Sequence, residues 1–135
     1  MVVAACGATP ALQEFATATI EVGDRMLTVL MAETSAQRRQ GLREVESLPA
    51  GVDGMLFVWD APTSATFEMR DTLIPLDIWW FDGDGNLLGS TPMVPCPAEP
   101  CVGYGSPGPI GWALETPAGE LTFAPGASLS TVEIP

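Results

Sequence analysis

Seven residues hold the chemistry this sequence can offer. Arg39, Arg70, Asp77 and Glu115 carry charge, and Met55, Met69 and Trp80 stand among them in apolar segments. Guanidinium and carboxylate groups set among sulfur and aromatic side chains can orient a small polar ligand or a sugar, so the seven are read as a candidate pocket with the charges at its floor. The same pattern has a structural reading. A charge near a core is destabilising without a partner, so an Arg–carboxylate network that also includes Glu68 would place these residues by fixing the register of a sheet. Paired carboxylates can also hydrolyse a glycosidic bond, but that chemistry depends on their separation, which sequence does not provide.

Other chemistries are narrowed by what is missing. The chain has no His, which removes serine–histidine and cysteine–histidine catalysis and the commonest zinc ligand. Asp82-x-Asp84-x-Asn86 imitates the start of a calcium loop, yet the sixth position holds Leu87 where Gly is expected and the twelfth holds Met93 where Glu is expected. A Gly-rich hairpin turn explains these residues better. No metal and no cofactor are expected.

Cys96 and Cys101 lie in the proline-rich stretch Pro95-Cys96-Pro97-Ala98-Glu99-Pro100-Cys101. One Cys pair without His falls short of four zinc ligands, and the spacing is not the C-x-x-C of redox motifs, so a disulfide closing a small loop is the favoured reading. The third cysteine follows Val3-Ala4-Ala5. That run resembles the lipobox of bacterial lipoproteins, which implies cleavage before Cys6 and lipidation of its thiol. The charged and apolar segments of a signal peptide do not stand between Met1 and Cys6, so this reading expects them upstream. Lipidation and disulfide agree on one address, the oxidising side of a membrane, in the periplasm or at the cell surface.

These side chains must be held by a folded scaffold. The chain has 135 residues, 47% hydrophobic and 16% charged, which suits one domain with a substantial core. Five arginines against 17 carboxylates give a net charge of -12, which disfavours nucleic acid and anionic membrane surfaces and leaves cationic or neutral partners open. Residues 7–18 read as a tether, so the segments are 1–18 for the lipobox-like start and 19–135 for the domain. Thr19–Val22 and Met26–Met31 read as strands around Gly23-Asp24. Thr34 or Ser35 caps a short helix that Gly41 stops. Further strands are expected at Gly54–Trp59, Phe67–Arg70, Leu76–Phe81, from Leu87, at Trp112–Glu115, Leu121–Phe123 and Ser130–Ile134. Trp79 and Trp80 fall on opposite faces of their strand, one in the core and the other at the surface. The fold expected is all-β with one short helix, as a β-sandwich or jelly-roll-like domain or a partly closed barrel.

Four blocks, in order, carry a resemblance: Arg39-x-Gly41-Leu42, Gly54-Met55-Leu56-Phe57, the run from Phe67 to Ile78, and Ala113-Leu114-Glu115-Thr116-Pro117-Ala118-Gly119. Together they resemble the signature of the domain of unknown function 192 family across residues 19 to 134. The resemblance implies a compact β-sandwich or jelly-roll-like domain, often exported, with no established activity. This chain has Glu68 where the family usually has Trp, and Arg70-Asp71 where it usually has Lys-Asn.

The functional expectation is an extracytoplasmic binding or accessory domain for a small polar ligand or an envelope partner, attached to the membrane only through Cys6. Its rivals are a small carboxylate-dependent enzyme, such as one acting on glycosides, and a structural envelope lipoprotein. The oligomeric state is left open.

Overall fold

The computed structural model describes Leu12 and residues 14–132. In chain order the elements are β1 (Ala16–Val22), β2 (Arg25–Ala32), α1 (Ser35–Gln40), β3 (Gly54–Thr63), β4 (Thr66–Phe67), β5 (Leu76–Phe81), β6 (Leu87–Met93), β7 (Tyr104–Gly105), β8 (Ile110–Pro117) and β9 (Leu129–Thr131). Seven strands form one sheet in the order β6-β5-β8-β3-β2-β1-β9, and β4 and β7 form a second, small sheet. Of the architectures expected, the partly closed barrel is the one formed. The long sheet curls into a half-barrel until its two edges touch at one corner, where Asn86 bridges Ser128 and Leu129 N donates to Gly85 O at 2.7 Å.

Local sequence explains the connections. Gly23 takes φ 62° in the two-residue turn that joins β1 to β2. β2 and β3 run parallel, which requires a crossover, and α1 lies within it. Thr34 caps α1 with a capping box: its hydroxyl accepts from Gln37 N at 3.1 Å, and the Gln37 side chain accepts from Thr34 N. Gly41, at φ 49°, ends the helix as expected, and its amide donates to Gln37 O. Asp82 organises the β5–β6 turn by accepting from the Asp84 and Asn86 amides, both at 2.9 Å. The Asn86 amide is the chief cause of its lowered pKa.

Alternation along each strand divides the core between the two faces of the sheet. The concave interior holds Ile20, Val22, Leu27, Val29, Leu56, Trp79, Phe81, Leu114 and Leu129. Leu30, Ala32, Met55, Phe57, Leu76, Ile78, Trp80 and Ala113 face outward into a second cluster. Leu42, Val45 and Met69, from the segments that cover this outer face, complete it.

Four expectations need correction. Trp79 and Trp80 do take opposite faces, but both are buried, because each face is covered. Their indole nitrogens donate to Thr116 and Thr91. Leu121–Phe123 is not a strand: Leu121 and Phe123 pack on the interior cluster, Phe123 edge-on to Trp79, without pairing. Only Phe67 of Phe67–Arg70 lies in a strand. The sheet begins at Ala16 rather than Thr19, and Leu12 and Phe15 before it are buried in the outer core, so Leu12 and residues 14 to 18 are more than tether. No helix among the described residues is long and apolar enough to cross a membrane.

Candidate functional site

A cleft of about 440 Å³ opens on the outer face, between α1 with the turn after it and the segment from Thr63 to Glu68. Each wall has a local cause. Gly41 lets the helix end approach Phe57, where an added Cβ would stand 3.5 Å from the ring. The β3–β8 register shifts between Val58 and Thr63, and Trp59, within the shifted stretch, and Thr63, at its end, both line the cleft. Phe67 packs edge-on against Phe57, Trp59 and Trp80, with centroids 5.0, 6.2 and 5.6 Å away. Glu44 and Asp71, the two non-glycine residues with positive φ among the described residues, are joined by a bond from Glu44 N to Asp71 O at 2.8 Å. This bond ties the Arg43 turn to the Thr72 turn on the rim of the cleft.

Glu115 lies at the floor. It sits in β8 opposite Met55 of β3 and Ile78 of β5, and it is 5% exposed. Its carboxyl has no hydrogen-bond or ion-pair partner among the described residues, and burial raises its pKa to about 8. At neutral pH it presents an O–H donor to the cleft. The strand that carries it is held close to its neighbour, since a Cβ on Gly54 would stand 2.3 Å from the Glu115 carbonyl oxygen.

Three arginines line the same cleft. Arg38 donates to the carbonyls of Glu33 and Val58 at 2.8 and 2.7 Å and lies over Trp59, 5.6 Å from the ring centroid. Arg39 donates to Ser35 Oγ at 2.8 Å. Arg43 stands half-buried on the turn after the helix. None of the three forms an ion pair with a carboxylate among the described residues.

Of the seven candidate residues, the structure brings Arg39 and Glu115 together at the cleft, joined by Glu68 on the rim. Met55, Met69 and Trp80 do not line it: at 0 to 2% exposure they are core, because the covering segments close over them. Arg70 points elsewhere, pairing with Glu68 at 3.1 Å and Glu99 at 2.6 Å and so tying β4 to the cysteine loop. Among the described residues, that is the one place where the Arg–carboxylate network takes form. Asp77 accepts from Gly119 N at 2.9 Å, outside the cleft. Arg38, Arg43 and Trp59 were missed, although Arg38-Arg39-x-x-x-Arg43 puts three of the five cations within six residues. Cys96 and Cys101 are joined by a disulfide with their Cα atoms 5.6 Å apart. Cys6 lies outside the described residues.

Comparison with known proteins gives relatives without an assigned activity. The DUF192 family model, described as an uncharacterized ACR, matches residues 16–130. A crystal structure from Sinorhizobium meliloti 1021, of a protein provisionally named a transcription regulator, is 28% identical with a TM-score of 0.76, over 87% of this chain and 95% of that one. One from Novosphingobium aromaticivorans DSM 12444, of a protein of unknown function, is 27% identical with a TM-score of 0.76, over 94% of each chain. No curated protein matches the chain.

Proposed function

This chain belongs to the uncharacterised DUF192 family, and from that premise we propose that it is an extracytoplasmic binding module whose outer-face cleft takes a small polar ligand. One observation carries the reading: a buried carboxyl without a partner among the described residues faces an aromatic-walled cleft of about 440 Å³. A buried polar group is ordinarily satisfied, and a ligand would supply the bond this one lacks. A purely structural envelope protein has no use for such a void. The disulfide favours an oxidising compartment, and lipidation of Cys6 would hold the module at a membrane there. A net charge of -12 opposes binding to a phosphate backbone, which speaks against a role like the one in the Sinorhizobium relative's name.

The experiment is a native mass measurement of the protein purified from its own envelope, beside the variant Ser64→Trp, which fills the mouth of the cleft. The expected result is a lipid on Cys6 and a small bound mass that Ser64→Trp loses. An unlipidated Cys6 refutes the anchor, and a bound mass that survives Ser64→Trp, or none at all, refutes the cleft.

A second reading draws on the same residue. A carboxyl that keeps its proton at neutrality is what a general acid requires. The other carboxylate on the cleft, Glu68, is ion-paired with Arg70. Turnover of nitrophenyl glycosides that disappears in Glu115→Gln would support catalysis, and no turnover would sink it.

A further inference from the structure

The arginines are distributed against the charge of the chain. With 17 carboxylates and five arginines, chance contact would give most guanidinium groups an acidic neighbour. Yet Arg38, Arg39 and Arg43 gather on one cleft, and none has a carboxylate within ion-pair distance among the described residues. Of the two acidic side chains on that cleft, Glu68 pairs with Arg70, a guanidinium it shares with Glu99, and so offsets at most one of the three cations. Glu115 is buried too deeply to ionise readily and touches no guanidinium. A locally cationic cavity therefore sits in a strongly anionic molecule.

We infer that the cleft binds a small organic anion, a carboxylate or phosphate group on an apolar body, with Arg39 and Arg43 gripping the anionic group. This rests on the reading of the cleft as a ligand site and names its ligand class. The three cations divide the work. Two carbonyls and the Trp59 face hold Arg38, so it contributes charge from a fixed position. The Arg39 guanidinium has one bond, to Ser35, and the Arg43 guanidinium donates none among the described residues, which leaves guanidinium forks free for two-point contact with an oxyanion. Phe57, Trp59 and Phe67 offer ring edges and faces to an apolar body, and the Glu115 O–H can donate to a polar group at its inner end. The acidic exterior repels anions everywhere else, so the field selects this cleft for them.

The test is isothermal titration of the purified protein with three probes of similar shape: benzoate, phenyl phosphate and uncharged benzamide. At least one anion is expected to bind at a single site about tenfold more tightly than benzamide. Which anion it is separates carboxylate from phosphate recognition. The pair Arg39→Gln and Arg43→Gln weakens that anion by about tenfold or more, the pair Arg39→Lys and Arg43→Lys by less, and Arg25→Gln, at the start of β2 and away from the cleft, leaves it unchanged. The inference is overturned if benzamide binds as well as the anions, if the double Gln variant binds the anion unchanged, or if neither anion saturates at millimolar concentration. Saturable binding of benzamide alone, lost in Ser64→Trp, refutes the anion class while the ligand site stands.

Discussion

Leu114 and Glu115 are consecutive residues of β8, and they face two differently built halves of one molecule. Leu114 enters the concave interior, where curling brings the sheet's own strands together and the indole of Trp79 is satisfied by Thr116. Glu115 faces outward, toward a cover made of a six-residue helix, two turns and a two-stranded ribbon. A sheet closing on itself leaves a space set by strand geometry, which apolar side chains fill. A separate cover has a shape of its own, so it can leave a void and hold a polar group beside it. The same two-residue alternation thus produces a filled core on one face and a cleft on the other.

Placing one side chain at both positions gives the widest test of that contrast. Leu114→Gln should lose about 4 kcal/mol in urea unfolding, combining lost apolar burial with an unsatisfied amide; near-neutral behaviour would show the interior to be loosely filled. Glu115→Gln should move the other way. The native chain keeps the Glu115 proton to about pH 8, whereas the unfolded chain releases it near 4.5. Between those values the native state binds more protons, so stability falls as pH rises, by roughly 3 kcal/mol at neutrality. The Gln variant should recover up to that amount at neutral pH and flatten the profile between pH 5 and 8. A wild-type profile already flat there would mean that Glu115 is ionised or paired.

Smaller changes address the cover alone. Thr34→Ala removes the α1 cap and should lower stability by about 1 kcal/mol. Probe binding in the cleft should weaken with it, and intact affinity would detach the helix from the site. Arg70→Gln, breaking exposed pairs, should change stability by less than about 1 kcal/mol. A larger loss would make the network around the cysteine loop a structural support of the outer face.

This division also accounts for what could be read in the sequence. Strands such as Leu76–Phe81, the helix with its Thr34 cap and Gly41 stop, the Gly23-Asp24 turn and the disulfide all follow from local chemistry, and they were legible. Nothing local reveals that both faces of β5 are covered, so Trp79 or Trp80 had to be assigned to the surface. Leu121 and Phe123 show the opposite problem: a strand-like pattern packs on the interior without an edge to pair with. At the site, Arg39 and Glu115 were legible as charges within the ordered family blocks. Arg38 and Arg43 were hidden by averaging, since a net charge of -12 describes the surface and not the cleft. Met55, Met69 and Trp80 belonged to the right face but lay one layer too deep.

The pairing of β1 with β9 sets Ile20 against Thr131 and Val22 against Leu129. Those partners are far apart in sequence, so the outer edge of β1 has no neighbour until β9 has been made. An open strand edge invites pairing with other chains, and contacts between distant residues form slowly. The β1 edge is therefore at its most vulnerable during synthesis, and its protection arrives only once β9 has emerged.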